Sequence, residues 1–203
     1  MNNTSDAPSG VILSVQMINF MKHDNLIIPF KPNVNFITGR NGSGKSSILV
    51  ALTIGLGGTS RTVGRGSNLS DLIKDGRHEA TIIIQIKNTP NGYEELVYGP
   101  IITITRRIRP NSSSYEINNC SKKDRAREEL TQILQFFSIQ VDNPCTLMSQ
   151  DISKEFIGVS TPHRKYELFM KGTLLSRLED EIYKIRGNIQ YVEKLREERK
   201  IEM

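Results

Sequence analysis

A glycine-rich segment that ends in lysine and serine is the strongest candidate for chemistry in this sequence. From Gly39 to Ser46 it follows the pattern G-x-x-x-x-G-K-[ST], which is typical of loops that bind triphosphates. Glycines let successive backbone N–H groups turn toward one anion without a clashing Cβ atom. Lys45 adds a point charge for the β and γ phosphates, and Ser46 adds a hard oxygen ligand for Mg²⁺. The predicted ATP-binding residues are Gly39, Arg40, Asn41, Gly42, Ser43, Gly44, Lys45, Ser46 and Ser47.

The segments on either side of this loop predict the elements that must position it. An apolar strand is expected at residues 34–38, and an apolar helix is expected from Lys45 to Leu56, ending at two glycines. The helix would direct the positive end of its dipole at the same anion. A strand, the loop and a helix in this order are what the phosphate-binding motif requires.

Further short strands are predicted before and after the loop. Alternating or β-branched apolar runs cover residues 11–17, 26–30, 80–87 and 101–108. A second helical face follows at Leu130, Ile133, Leu134 and Phe137. Together these elements predict an α/β domain. Residues 1–10 are polar and predict a disordered tail.

The last segment of the sequence has a different period. Apolar residues recur at alternating intervals of three and four, with charged residues between them. This spacing is the a/d seam of a coiled coil, and it favours a coiled coil over an amphipathic helix folded onto its own domain. The seam consists of Leu175, Leu178, Ile182, Ile185, Ile189 and Val192. We therefore expect the start of a coiled-coil arm.

The composition argues against several classes of protein. The chain has 203 residues, of which 37% are hydrophobic, enough for one globular domain. Its apolar runs are too short to span a bilayer, which argues against a membrane protein. Two cysteines, Cys120 and Cys145, indicate reduced thiols in a nuclear or cytosolic protein rather than a disulfide framework. The net charge of +5 permits binding to a polyanion without requiring it.

Hydrolysis of ATP needs an acidic group that is hard to find in this sequence. P-loop enzymes hold Mg²⁺ from its other side with an aspartate at the end of an apolar strand. The nearest candidate, Asp142, follows a run that Ser138 and Gln140 interrupt, and Pro144 comes soon after it. We interpret Asp142 as the start of a turn. The chain is therefore expected to bind ATP but not to hydrolyse it alone.

The loop and several more particular segments resemble a known family. Residues 36–47 are similar to the phosphate-binding strand and loop of ABC-type chromosome ATPases, which include the structural maintenance of chromosomes (SMC) proteins. Other segments resemble the SMC subunits numbered six, which pair with subunit five in a DNA-repair complex. These segments are residues 55–58, 65–69, 73–76, 142–144, 149–151 and 166–175.

The resemblance implies half of a split domain. In SMC proteins the head ATPase is assembled from the two ends of a long chain, and this sequence corresponds to the N-terminal half. The implied fold is an α/β ABC-type half-head with a mixed sheet and a P-loop helix at residues 11–172, followed by the coiled-coil neck at 173–203. The signature segment and the acids for hydrolysis would come from the C-terminal half, so this fragment alone is not expected to be an active enzyme.

The resemblance also implies partners and a location. The implied partners are the C-terminal half-head of the same protein, an SMC subunit five as heterodimer partner, a kleisin subunit at the neck, and DNA bound without sequence specificity. No membrane contact is implied. The implied location is the chromosome in the nucleus, and the implied processes are DNA repair and recombination.

Some residues outside the loop receive a role from the resemblance alone. Gln150 matches the Q-loop glutamine, which reaches Mg²⁺ or the attacking water; it joins Lys45 as a catalytic residue and Ser46 as a metal ligand. Arg65 matches an arginine that lies near the nucleotide or DNA, with Arg61 as a close alternative. Three residues fall where related heads approach the adenine, although packing of the strand and turn explains them equally well: Asn19, Phe20 and His23.

Two basic clusters are candidates for contact with DNA phosphates, although a solvated surface explains them equally well. They are Arg106, Arg107 and Arg109 beside a strand, and Lys122, Lys123, Arg125 and Arg127 beside a helix. The sequence also leaves two other functions open. One is a complete small P-loop kinase, and the other is a coiled-coil DNA-binding adaptor in which the nucleotide is incidental.

Overall fold

The computed structural model describes most of the chain, which divides into two compact units, Met1–Asp142 and Asn143–Met203. The described residues are 7–59, 68–118, 125–141, 143, 146–148, 153–154, 158, 161–173 and 175–201. The sheet and the phosphate-binding loop belong to the first unit, and the long helix belongs to the second.

A five-stranded sheet organises the described part of the first unit. Its strands are β1 (Ile12–Phe20), β2 (His23–Pro29), β3 (Ala80–Lys87), β4 (Ile101–Arg109) and β5 (Ser112–Ile117). They lie in the order β2-β1-β3-β4-β5, and each neighbouring pair is antiparallel. The four predicted apolar runs correspond to β1 through β4.

One face of this sheet forms the core with the helices. The helices of the unit are α1 (Lys45–Gly55), a 3₁₀ turn (Leu69–Leu72), α2 (Glu95–Tyr98) and α3 (Ala126–Phe136). Side chains in β3 alternate between buried and partly exposed, as expected for a strand with one buried face. Helix α1 approaches that buried row closely, because a Cβ added at Gly55 would lie 2.5 Å from Ile84 Cδ1. Each isoleucine buried in this way contributes about 1.5–3 kcal/mol.

The segment that leads into the phosphate-binding loop is not a strand. The prediction of a strand at residues 34–38 was wrong, because the segment pairs with no strand among the described residues. Val34 and Phe36 expose 68% and 88% of their surface. An apolar run gains little from an extended conformation without a neighbour that covers its side chains and bonds its backbone. Residues 34–37 line a groove of about 350 Å³ together with Ile28 and Phe30.

The connection between β3 and β4 is folded tightly around Asn88. The Asn88 side-chain amide donates to Tyr93 O at 3.0 Å and to Gly99 O at 2.8 Å, and its oxygen accepts from Tyr93 N at 2.8 Å. These bonds explain how a polar side chain can be completely buried. Helix α2 is held to α3, because the hydroxyls of Tyr93 and Tyr98 both donate to Glu129 Oε1.

The N-terminal residues that the structure describes contact the sheet. Residues 7–10 fall within the predicted tail, yet Ala7 is buried and Gly10 N donates to Lys87 O at 2.7 Å. Residues 1–6 lie outside the described residues, so the predicted disorder remains a prediction for them.

The second unit contains α4 (Pro162–Gly172) and α5 (Leu175–Ile201). Thr161 is the N-cap of α4, its hydroxyl accepting from Arg164 N at 3.3 Å, and Pro162 is in the first turn. The long terminal helix expected from the heptad spacing is present as α5. Its seam side chains between Leu178 and Val192 are 50–60% exposed. In the described residues no helix is long and apolar enough to cross a membrane.

Candidate nucleotide-binding site

The predicted phosphate-binding loop is a tight turn that requires its glycines. Ser43 N donates to Arg40 O at 3.2 Å and closes the turn. Gly42 and Gly44 have φ angles of 79° and 89°, a left-handed conformation that costs other L-residues about 1–2 kcal/mol. At Gly39 an added Cβ would lie 2.8 Å from Ser43 Oγ. A Cβ at Gly39 would require the Ser43 hydroxyl to move, and the loop favours glycine by conformation at the other two positions.

Lys45 reaches back across the loop from the first turn of α1. Its Nζ donates to Gly39 O at 2.6 Å and to Arg40 O at 2.8 Å. An ammonium group carries three hydrogens, and a charged phosphate oxygen is a stronger acceptor for it than a neutral carbonyl. The geometry therefore holds a cation at the loop, bonded to groups that a phosphate can replace.

The N-terminus of α1 is prepared for an anion. Its N-cap is Gly44, which provides no side-chain cap, and the first turn contains no acidic residue. The first N–H groups of a helix have no acceptor within the helix, and the helix dipole makes this end positive. Backbone donors, a lysine and the absence of a nearby carboxylate in this turn fit a polyphosphate.

His23, the first residue of β2, lies directly against the phosphate-binding loop. A Cβ added at Gly44 would lie 2.3 Å from His23 Nε2. This nitrogen is buried and has no hydrogen-bond partner among the described residues. A buried polar atom without a partner costs free energy, so it marks a place where a ligand group could bond. The structure thus puts His23 at the phosphate end of the site.

The two other residues considered for the adenine have structural roles. Phe20 is fully buried in the core, and Asn19 O accepts from Lys74 N at 2.9 Å. Packing of the strand and turn accounts for both. Beside this turn, Lys74 Nζ lies 2.5 Å from Asp24 Oδ2, and this hydrogen bond holds the pKa of Asp24 below its ordinary value of 3.8.

Most of the predicted loop residues are exposed. Arg40, Asn41 and Ser46 are open to solvent, whereas Ser47 is buried and its N–H donates to Gly44 O at 3.0 Å. Ser46 is therefore accessible for a metal ion at the first turn of α1, while the Ser47 side chain belongs to the core.

Several predicted site residues fall outside the described part of the chain. These are Gln150, Arg65, Arg61 and Asp142. Among the residues that the structure describes, no group of three His, Cys, Asp or Glu side chains could hold a metal ion. Of the two predicted Mg²⁺ ligands, the structure therefore locates Ser46 and does not test Gln150.

The first basic cluster does not form a common surface. Arg106 is only 6% exposed and points into the core, so it is not available to DNA phosphates and that prediction was wrong for this residue. Its position in a buried row with Ile104 and Ile108 was visible in the alternation of β4. Arg107 and Arg109 are exposed, and they bond Glu116 at 2.9 Å and Glu79 at 2.6 Å. Phosphate contacts there would have to displace these carboxylates.

The second basic cluster is only partly described. Lys122 and Lys123 lie outside the described residues. Arg125 Nε lies 3.9 Å from Glu128 Oε2 on the exposed surface. An exposed ion pair of this length contributes little to stability.

The chain is similar to known proteins over most of its length. Residues 14–202 match the family model described as an AAA domain. The chain is 42% identical over 183 residues to structural maintenance of chromosomes protein 6 of Schizosaccharomyces pombe, which covers 88% of this chain and 16% of the relative. It is 40% identical over 181 residues to the human protein of that name, which covers 86% of this chain and 16% of the relative. The chain thus spans about a sixth of the length of these relatives.

Solved structures extend the similarity to the fold. A structure described as showing ATP-driven dimerization and DNA-stimulated activation of SMC ATPases is 28% identical with a TM-score of 0.65, and the match covers 79% of this chain and 98% of that chain. The Smc head domain of Pyrococcus furiosus, with an extended coiled coil and bound to the C-terminal domain of ScpA, is 27% identical with a TM-score of 0.65; the match covers 91% of this chain and 47% of that one. The α/β class and the P-loop ATPase fold are confirmed. The chain therefore belongs to the AAA-domain family and is an N-terminal half-head of the SMC type, similar over most of its length to structural maintenance of chromosomes protein 6.

Proposed function

We propose that this half-head binds ATP together with Mg²⁺ through residues 39–46. The proposal rests on one observation, the combination of three features at the start of α1. Lys45 Nζ crosses the loop, two glycines adopt left-handed conformations, and the helix end has no acidic residue. The polyphosphate would be bound by the backbone N–H groups and by Lys45, while Ser46 would hold the metal ion. Bound Mg²⁺ neutralises charge on the phosphates.

Hydrolysis, in this proposal, requires a C-terminal half-head. The apolar segment 34–37 leads into Gly39 and is exposed in this unit, with Ile28 and Phe30 in the adjoining groove. Exposed apolar surface of this kind marks an interaction site. A strand from the second half would cover it and complete the flank of the phosphate-binding loop. No observation independently favours a small P-loop kinase or an adaptor with incidental nucleotide binding.

The remaining partners are proposed from the family and from α5. The half-exposed seam of α5 supports a second helix packed along it as a coiled coil. An SMC subunit five as dimer partner, a kleisin at the neck, and DNA bound without sequence preference complete the proposed assembly. The proposed setting is the chromosome in the nucleus, with DNA repair and recombination as the processes.

Gln150 and Arg65 are proposed as further nucleotide-site residues from the resemblance alone. A glutamine can ligate Mg²⁺ or orient water through a neutral oxygen, and an arginine can neutralise phosphate charge. The catalytic role of Gln150 would act only in the assembled head, as would that of Lys45.

The proposal is tested by replacing Lys45 with alanine and titrating ATP into the purified chain by calorimetry. Removal of charge-assisted bonds to two phosphates is expected to cost about 3 kcal/mol, or about a hundredfold in Kd. Lys184→Ala is the matched control, because Lys184 is exposed on α5 and lies off the heptad seam.

The controls distinguish a loss of ATP binding from a loss of folding. Circular dichroism must show both variants folded, and Lys184→Ala should retain the affinity of the original chain. Equal ATP affinity in the Lys45→Ala variant and the original chain would overturn the proposal. Phosphotransfer by the isolated chain would instead support the small-kinase alternative.

A further inference from the structure

Arg106 occupies a position in β4 where the sequence pattern calls for an apolar side chain. It lies in the core-facing row between Ile104 and Ile108 and is 6% exposed. Burying a guanidinium is costly unless its donors are bonded. None of the ion pairs among the described residues includes Arg106, and its Nε is buried without a hydrogen-bond partner. The bonds that offset its burial are therefore made by the other guanidinium nitrogens to uncharged groups.

The guanidinium of Arg106 bonds the C-terminal end of the P-loop helix instead. Its Nη1 donates to Ile54 O at 2.5 Å and to Gly58 O at 3.1 Å. Ile54 is in the last turn of α1, where backbone carbonyls lack partners within the helix, and its oxygen also accepts from Gly57 N at 3.2 Å beyond the helix end. Helix α1 has no basic residue in its own last turn. Arg106 therefore provides, from a neighbouring strand, the cation that a helix C-terminus favours.

Tyr115 supports this arrangement from the adjacent strand. It pairs with Arg106 in the β4–β5 register, and its ring centroid lies 4.7 Å from the guanidinium carbon. Its hydroxyl donates to the same Ile54 O at 3.4 Å. Burial lowers the pKa of Arg106 and raises that of Tyr115. The buried Arg106 and the partly buried Tyr115 thus both reach one carbonyl at the end of α1.

The two ends of α1 are mechanically connected. The helix runs for 11 residues from Lys45 to Gly55, a nearly rigid rod about 16 Å long. A displacement at Ile54 therefore tilts the turn that contains Lys45 and Ser46. Binding sites tolerate errors of only about 0.5 Å in the placement of their groups.

We propose that Arg106 is a positioning residue for nucleotide binding, which acts through α1 by fixing the C-terminal end of the helix against β4. The inference rests on the proposed function, because it concerns the site that residues 39–46 form. It assigns to Arg106 a role in affinity rather than in DNA contact.

The test compares three variants of the full chain by ATP titration at a temperature where circular dichroism shows each one folded. Arg106→Met removes the charge and keeps a side chain of similar length. The Kd of this variant for ATP is expected to rise about tenfold or more, which is the loss expected when a binding group is displaced by a fraction of an ångström. Arg106→Lys keeps the charge but lacks the planar fork, so an intermediate Kd is expected. Arg107→Met is the matched control, because Arg107 is the next residue, faces solvent and bonds Glu116; its Kd should stay within about twofold.

Hydrogen exchange without nucleotide gives the second readout. Arg106→Met should accelerate exchange of the amides of residues 48–50, the first of α1 that bond within the helix, relative to those of β3. A merely structural role would lower the melting temperature while leaving the Kd of the folded variant and this exchange pattern unchanged, and that result would overturn the inference. If Arg106→Met does not fold, Arg106→Lys decides by the same two measurements.

The outcome also separates this inference from the proposed function. If the original chain binds no ATP but residues 48–50 of Arg106→Met exchange faster, the result would support the mechanical link and refute the proposed function. Normal ATP affinity in both Arg106 variants, with ATP binding by the original chain and its loss in Lys45→Ala, would refute the inference alone.

Discussion

Replacing Gly44 with alanine should damage nucleotide binding for two separable reasons. The backbone at Gly44 has φ of 89°, which places alanine in the left-handed region. In addition, the new Cβ would lie 2.3 Å from His23 Nε2 and 2.6 Å from His23 Cε1, far inside contact distance. The imidazole or the loop has to move to accept even one methyl group.

The magnitude follows from adding these two effects. The left-handed conformation costs alanine about 1 kcal/mol, and inserting a carbon into a filled space costs about 1–3 kcal/mol. The loop can relieve this strain by leaving its binding conformation, and ATP binding must then restore it. A total of about 3 kcal/mol corresponds to an increase of about a hundredfold in the Kd for ATP.

A double-mutant cycle separates the clash from the backbone strain. ATP affinity is measured by calorimetry for Gly44→Ala, His23→Ala and the double variant. Removing the imidazole relieves the clash but not the strained φ, so the effect of His23→Ala on ATP affinity should be about tenfold more favourable in the Gly44→Ala background than in the original chain. The reasoning is refuted if Gly44→Ala binds ATP within about threefold of the original chain, or if His23→Ala has the same effect on ATP affinity in both backgrounds.

Three further predictions concern stability and assembly. The hydrogen bond to Lys74 lowers the pKa of Asp24, so this bond stabilises the fold above pH 3.8 and loses its effect as the pH falls through the lowered pKa. The urea midpoints of the original chain and Asp24→Asn should therefore differ at neutral pH and converge once the pH lies below that lowered pKa. Glu129→Ala removes the carboxylate that accepts from the hydroxyls of Tyr93 and Tyr98 and should lower the free energy of unfolding by about 1–3 kcal/mol in urea titrations. Phe36→Ser removes an exposed side chain, so calorimetric scans should show a change in melting temperature of about 1 °C or less. The amount of C-terminal half-head that co-purifies with the chain should fall. A lower melting temperature with normal co-purification would contradict the proposal that Phe36 contacts the second half-head.

The loop and its helix could be predicted because their residue types are set by local geometry. Glycines at positions 42 and 44 supply left-handed conformations, and Lys45 begins a helix that ends two residues before Gly57. Strand β3 was also visible in the sequence, since its isoleucines alternate along a buried row.

The features that escaped prediction depend on contacts distant in sequence. Residues 34–38 have the composition of a strand, but a strand also needs a neighbour, which the described residues do not provide. Strand β5 begins with three exposed serines at the edge of the sheet and carries a weak hydrophobic signal. The packing of His23 on Gly44 joins residues that the local pattern cannot relate. The burial of Arg106 was accessible from the alternation of β4, although its bond to Ile54 was not.

The exposed apolar segment 34–37 has a thermodynamic consequence, because it continues directly into Gly39. In the proposed assembly, the second half-head and the nucleotide bind on the two sides of one short loop. Their two binding equilibria are therefore coupled in one thermodynamic cycle. Any factor by which the second half increases affinity for ATP must equal the factor by which ATP tightens the association of the two halves. The affinity between the two half-heads would therefore depend on the concentration of ATP.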